Sequence, residues 1–522
     1  MRARDYLILY LAAELLLIVV SLFQSAPGYM DADYYMAGGQ RFLRGQGQSE
    51  PYLWNYLGGS DQLPVDSFQY WMPLTSIFAY GGMILLGSNS FASARLLLVL
   101  LAGTIAPLTA ALAFRFSTNR SQAWFAGLLA IFSGFYLTFL STTDAFAIYM
   151  VVGGLLIVGV DYLSTKNYLW LSISAGICVG LLHMARADGL IWCGLIIVTY
   201  VGWGIIHKLP PAKIVLAGVN ILFAYILISG AWYWRNLISF GSLFTPGGLK
   251  TLWLTSYDDL FRFDTSLLSF QHWLGSGWES IVQVRISALF QNLQTWLAVQ
   301  GTVFLLPLTL LGGWKLRNRL SVLVGFGYWV VILFVFSFVL PFPGVRGSFF
   351  HSGSSIQILF WALVPVGLHS LVQLGVSQRN WNGRQAEVVF QAGAVGLALL
   401  LTLFLGVNKL YQSGSLIWGN TFYQYREVGD YFQSDGWEGK SPVMVNNPPG
   451  YYLATGEQAI VIPAEGIDAV LAAARKFNAR YLLLEPDKNF PELYLGEVVI
   501  PELSLVAQVD GIQIYQIETL FE

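Results

Sequence analysis

The chain has 522 residues, of which 55% are hydrophobic and only 11% charged, with a mean hydropathy of +0.58. That composition lies far from a soluble globular average. Several apolar runs reach the roughly 20 residues needed to cross a bilayer, which makes this a polytopic membrane protein. The net charge of -2 says little about partners, since the distribution carries the information, and no basic stripe suggests nucleic-acid binding.

A basic start, Met1-Arg2-Ala3-Arg4, precedes an apolar core over about 6–23. The core is long for a signal peptide, and Pro27 follows Ala26 where cleavage would fall, so it reads as an uncleaved first transmembrane helix. Next comes Asp31-Ala32-Asp33-Tyr34-Tyr35, at the head of an aromatic-rich loop over 24–90. Carboxylates this close to a bilayer are costly unless they face water or take part in chemistry. Interfacial helices are expected in this loop, one of them over about 33–43.

Further apolar runs fall at 91–115, 121–140, 145–163, 168–184, 188–206, 213–235, 296–314, 320–341, 353–375 and 387–409. The run at 71–87 is shorter and is interrupted by Gly81 and Gly82. If it lies in the interface, then Arg2, Arg4, Arg115, Arg120, Lys166, Lys208, Lys213, Lys315, Arg317, Arg319, Arg379 and Arg384 all fall on one side. The positive-inside rule makes that side cytoplasmic. The sequence thus predicts an α-helical protein with about 11 transmembrane helices, its N-terminus cytoplasmic and its C-terminus outside a plasma membrane. Cys178 and Cys193 both lie in apolar runs and read as buried thiols.

Two domains are expected: 1–410, transmembrane, with outer loops at 24–90 and 236–295, and 411–522, a small extracytoplasmic α/β domain. In the tail, Val443–Val445, Ala459–Ile462, Tyr481–Leu484 and Ile512–Tyr515 read as strands and Asp468–Phe477 as an amphipathic helix. It has no Gly-rich phosphate loop and no nucleophile motif, which leaves it a support or acceptor-binding role. No internal repeat marks an inverted-repeat transporter.

The residues suited to chemistry gather on the predicted outer face. Asp31 and Asp33 suit a general base, which needs a partly desolvated carboxylate within reach of a hydroxyl; either would also serve as an N-cap. Asp144, after two threonines, is a second acid or another cap. Arg186 and Asp188 flank a tight turn, where they would pair with each other or Arg186 would fork onto a phosphate. Arg346 and His351 sit in a Gly-, Ser- and Phe-rich stretch that permits close ligand approach. Tyr34, Tyr35, Trp54, Tyr70 and Trp71 would stack on sugar rings or anchor at the interface. The five histidines show no metal-ligand spacing.

The order of these features resembles the GT-C superfamily of integral-membrane glycosyltransferases, in the branch of the dolichyl-phosphate-mannose protein mannosyltransferases and aminoarabinose transferases. The likeness rests on Asp31–Tyr35 followed by Ala37 and Phe42–Gly45, and on Met72-Pro73-Leu74 with Leu86-Gly87 and Ala94-Arg95. It also rests on Asp144, on Arg186-Ala187-Asp188-Gly189, and on Trp232–Asn236 with Gly241. It covers 1–245 by motif and the remaining spans by architecture. Two departures stand out: Asp31-Ala32 where relatives often carry Asp-Glu, and no counterpart before Pro73 of the zinc-ligand Glu of the aminoarabinose branch.

What the resemblance implies is transfer of a sugar, with inversion, from a polyprenyl-phosphate carrier to a lipid, glycan or protein hydroxyl. Asp31 would be the base, with Asp33 as its alternative, and Arg186 or Arg346 would stabilise the leaving phosphate. Zinc is not carried over and no metal site is assigned. A divalent cation held by Asp31, Asp33 or Asp144 with the donor phosphates is compatible with the residue types. Competing readings are a transporter or flippase of lipid-linked saccharide, and a non-catalytic relative that binds such a lipid. The one-sided acids and missing repeats speak against the first, the intact Asp31/Asp33 pair against the second.

Overall fold

The computed structural model describes the chain apart from residues 164–166, 413–414, 435, 438, 440, 487 and 519–522. Lys166, expected on the cytoplasmic side, therefore lies outside the described residues. The chain separates into two compact units, each built from distant stretches. Met1–Phe23, Arg95–Arg235 and Gln283–Gly414 form one; Gln24–Ala94, Asn236–Val282 and Ser415–Glu522 form the other. The 24–90 segment, up to Ala94, and most of 236–295 thus group with the tail, not with the spans.

The first unit is helical, as its apolar runs dictate. Among the described residues, seven helices are long and apolar enough to cross a membrane. The count is eight if the bent pair Arg120–Ile131 and Gly134–Leu140 is one span. Three other expected spans fall short of the same test for visible reasons. Ala3–Ser21 is long enough at 19 residues but carries Arg4, Asp5 and Glu14. Phe146–Asp161 has 16 residues. The 296–314 run is broken into a π-helical turn, Trp296–Gln300, and a 10-residue helix, Leu306–Lys315. The protein is a multi-pass membrane protein.

Two buried acids of this unit, Asp161 and Asp5, are paired with arginines. Asp161 is buried and receives Arg115 at 2.7 Å and the Ser321 hydroxyl at 2.8 Å. The buried Asp5 receives the Arg120 guanidinium through two nitrogens. Regular helix gives way to π-helical turns at Val335–Val339 and Gly344–Ser348, a departure often found at functional sites.

The second unit is organised by a six-stranded sheet. Its strands are β1 (Tyr52–Leu53), β2 (Val443–Val445), β3 (Ala459–Val461), β4 (Tyr481–Leu484), β5 (Leu503–Val509) and β6 (Ile512–Ile517), in the order β1-β3-β2-β4-β6-β5. The first four run parallel and the last two are antiparallel additions. β1 comes from the 24–90 segment and pairs Tyr52 with Ala459 and Leu53 with Ile460.

Helices cover both faces, which is why β2 is buried at all three positions instead of alternating. On one face Tyr425, Phe432 and Tyr451, from Asn420–Ser434 and Pro448–Thr455, meet Val443, Val445 and Leu483. On the other, Val470, Ala474 and Phe477 of Ile467–Phe477 meet Met444, Ile460 and Leu482. Phe263, from the second outer loop, packs edge-on against Tyr56, whose hydroxyl bonds the Val461 carbonyl.

The 24–90 segment contains two helices, Met30–Leu43 and Leu74–Leu86. The second, at 13 residues, is well below the ~20 needed to span.

Candidate active site

In the first unit the segment after the π-helical turns gathers the acids. Gly347 has φ 129°, a value that favours glycine, and it sits inside the turn that carries Arg346. The turn presents the Gly347 carbonyl to His351 Nδ1 at 2.9 Å. The other ring nitrogen, Nε2, lies 3.2 Å from Oδ2 of Asp144, whose Oδ1 accepts the Ala145 N–H. The imidazole lies nearly flat on Phe146, with centroids 3.9 Å apart.

Both nitrogens of His351 face acceptors. A carbonyl accepts only, so Nδ1 carries a hydrogen, and the Nε2–Oδ2 contact is a hydrogen bond only when it holds one more proton. Asp144, 1% exposed, and His351 are thus held within hydrogen-bonding distance of each other.

One residue further on, Ser352 donates to Asp188 Oδ2, which also accepts from the Tyr149 hydroxyl at 3.2 Å. Asp188 Oδ1 accepts from Arg186 Nε at 2.9 Å. The turn that brings Arg186 and Asp188 together depends on Gly189. A Cβ there would lie 2.4 Å from the Leu182 carbonyl carbon, so only glycine allows the two helices to meet so tightly. Ser355 completes the run by accepting from the Trp192 indole at 3.3 Å. Thus Asp144 and His351 come together, as do Arg186 and Asp188, and the run from His351 to Ser355 contacts both pairs. Arg346 lies exposed on its turn.

In the second unit, Asp31 and Asp33 occupy the first turn of Met30–Leu43, which starts at Met30 and not at Asp33. Tyr29 is the N-cap and no side chain caps it, so the capping alternative is not realised for either aspartate. Asp33 is buried, and its Oδ2 accepts from Asn447 Nδ2 at 2.7 Å. Its Oδ1 has no partner. Burial pushes the Asp33 carboxyl up to about 7; the Asn447 bond opposes that rise and the neighbouring Asp31 charge adds to it. Residues two apart do not share a helix face, so the engagement with Asn447 belongs to Asp33 and not to the half-buried Asp31.

Tyr34 and Tyr35 are both 1% exposed. Tyr34 donates to Glu50 at 2.5 Å and touches the rings of Tyr35, Tyr52, Phe68 and Trp71. The pair belongs to the core of this unit, and neither ring is open to stack on a sugar. Trp54 stacks on Trp71 at 4.0 Å in the same cluster.

Sequence reasoning missed Ser352, Tyr149, Asn447 and Glu50. The serine-rich run beside His351 was the one signal that could have found Ser352; the others carry no local signature.

No protein-family model matches the sequence, and no curated protein matches it. Solved structures do. The oligosaccharyltransferase AglB of Archaeoglobus fulgidus, in complex with an inhibitory peptide and a dolichol-phosphate, is 14% identical with a TM-score of 0.58. The match covers 94% of this chain and 70% of that one. The same enzyme with zinc and sulfate gives 13%, 0.56, 92% and 69%. ArnT from Cupriavidus metallidurans, bound to undecaprenyl phosphate, is 13% identical with a TM-score of 0.52 and 99% of both chains covered. The mycobacterial arabinofuranosyltransferase AftD is 12% identical with a TM-score of 0.54, covering 99% of this chain and 42% of that one. At such identities the likeness is one of fold.

Proposed function

We propose that this chain, which has the fold of the GT-C membrane glycosyltransferases, is itself an inverting glycosyltransferase. It would move a sugar from a polyprenyl-phosphate carrier to a hydroxyl of a lipid, glycan or protein acceptor at the outer face of the membrane. The observation that carries this reading is the Asp144–His351 and Arg186–Asp188 cluster, built on irregular helix within such a fold. Two fold neighbours were solved with a dolichol-phosphate or an undecaprenyl phosphate bound, which supports the carrier class. Eleven spans, a cytoplasmic N-terminus and an extracytoplasmic tail in a plasma membrane belong to the same reading.

Asp31 is the base. It takes the proton of the acceptor hydroxyl as that oxygen attacks the anomeric carbon, and the carbon–oxygen bond to the phosphate breaks on the opposite face. The carrier phosphate leaves with the bonding pair, and Arg186 or Arg346 stabilises the charge it gains. Asp188, holding Arg186 with one oxygen and Ser352 and Tyr149 with the other, fixes the guanidinium for that task. Asp33 is the alternative base, since a carboxyl lifted to about 7 has suitable basicity near neutral pH.

A divalent cation is compatible with the Asp144–His351 pair. The Asp144 carboxylate and the His351 imidazole, 3.2 Å apart, would hold such a cation. It would add positive charge for the donor phosphate.

The test is sugar transfer by purified wild type and Asp31→Asn in nanodiscs, with a panel of radiolabelled polyprenyl-phosphate sugars. Transfer or donor hydrolysis lost in a folded, donor-binding Asp31→Asn is the expected result. Loss in Asp33→Asn alone moves the base. Donor binding without turnover, together with lipid movement between vesicle leaflets, overturns the enzyme in favour of a flippase.

A further inference from the structure

The sheet of the second unit obeys a rule of parallel α/β sheets: ligands bind at the carboxyl ends of strands, where successive connections leave to opposite faces. From β2 the chain passes to Pro448–Thr455 on one face, and from β3 to Ile467–Phe477 on the other. Asn446 and Asn447 follow β2 directly, and Glu485 follows β4. A cavity of about 220 Å³ opens at this edge, lined by Asp33, Asn446, Asn447, Glu485 and Lys488, with Tyr29 and Phe422 among its walls. Asn446 also lines a second cavity, of about 470 Å³, beside the end of β3.

Two polar atoms there lack partners. Asp33, 4% exposed, has one carboxylate oxygen on Asn447 and none on the other; Asn446 Nδ2 is buried and makes no bond. Leaving such atoms unpaired costs roughly 1–3 kcal/mol each, so a ligand that satisfies both has a ready source of affinity. Asn447 is committed already, capping Pro448–Thr455 through its oxygen and holding Asp33 through its nitrogen. Glu485 is fixed by the Tyr425 hydroxyl at 2.5 Å.

We propose that this cavity is a saccharide subsite, holding one sugar ring by its vicinal hydroxyls between Asp33 and Asn446, with Glu485 and Lys488 as further contacts. The inference deepens the glycosyl-transfer reading and rests on it. The donor set selects the ligand class. A cation wants acceptors only, yet Asn446 and Lys488 bring N–H donors; an anion would meet two carboxyl groups. Sugar hydroxyls both donate and accept, and Tyr29 and Phe422 offer apolar walls to the ring's carbon faces. The volume, below the ~300–1,000 Å³ of drug-sized sites, fits a single ring.

The test uses the full chain in nanodiscs and a panel of methyl glycosides of mannose, glucose, galactose and arabinose, read by saturation-transfer NMR. Donor hydrolysis is measured in parallel. At least one glycoside should bind, and Asn446→Leu should weaken it tenfold or more; Lys488→Ala, on the surface, should weaken it several-fold with an unchanged melting temperature. Competition by polyprenyl-phosphate sugar would assign the ring to the donor, and lack of competition to the acceptor. No glycoside binding while donor hydrolysis persists would overturn the subsite and leave the enzyme standing. Unchanged binding in both variants would overturn it too, as would calcium chloride raising the melting temperature of wild type but not of Glu485→Gln.

Discussion

Asp188 in the helical unit and Asp33 in the sheet unit are both carboxyl groups held among polar side chains, but they are held differently. Asp188 accepts from Arg186, Tyr149 and Ser352, so each of its oxygens has a donor. Asp33 has one donor, Asn447, and an oxygen left bare at a cavity. A saturated carboxylate is a fixed charge that orients its neighbours. An unsaturated buried one carries a cost that falls on protonation or on ligand binding. The contrast separates a residue that positions other groups from one whose own state changes.

Substitutions can break that contrast, and the largest effect lies with neither residue. Asp31→Asn should lower sugar transfer by about 10²–10⁴-fold, the usual contribution of a general base, with melting temperature and donor binding retained. Activity within a few-fold of wild type would remove Asp31 from the chemistry. Asp188→Asn places an amide NH2 donor among side chains that themselves donate, Arg186, Tyr149 and Ser352. It should cost about 1–3 kcal/mol in thermal stability and lower donor hydrolysis by tenfold or more as Arg186 loses its anchor. Rescue of neither by Asp188→Glu would point to geometry rather than charge.

Asp33→Asn should act in the opposite direction on stability. The folded-state pKa of Asp33, about 7, lies above the ordinary 3.8, so the folded protein binds the proton more tightly than the unfolded chain. Its contribution is full below about pH 4 and is lost as pH rises through about 7, each tenfold difference in proton affinity between the two states being worth about 1.4 kcal/mol. Wild type should therefore lose stability between those limits, while Asp33→Asn stays flatter and melts higher above pH 7. Parallel melting curves for the two would refute the raised pKa. If Asp33 were the base, wild-type transfer would also show an acid limb near pH 7, and Asp33→Asn would be inactive at every pH. The smallest expected effect is that of Tyr34→Phe, about 1 kcal/mol for the lost bond to Glu50, with transfer retained.

Seven or eight of the expected spans were legible because uninterrupted apolar helices announce themselves, and β2 because strands covered on both faces read as unbroken hydrophobic runs. β5 escaped notice, since it is mostly exposed at the sheet edge and lacks such a run. Asp144 and His351 were separately visible, but their pairing spans 207 positions and no local pattern encodes it. Asp33 was visible as an acid. Its burial depends on Asn447 in the tail, which sequence reasoning had left without a chemical role. The two tyrosines after it invite a sugar-stacking reading on residue type alone, and only the packing around Glu50 and Trp71 identifies them as core.

The pairing of Tyr52–Leu53 with Ala459–Ile460 has a consequence for biogenesis. During synthesis the first outer loop is made about four hundred residues before its partner strand. At roughly 5–20 residues per second that is an interval of about 20 to 80 seconds. Throughout it, the backbone groups of that short edge strand have no sheet to join. The sheet closes only after the last span has been laid down, which ties completion of the extramembrane fold to completion of the whole polypeptide. A ribosome that stalls before residue 459 would leave Tyr52–Leu53 without a sheet to join.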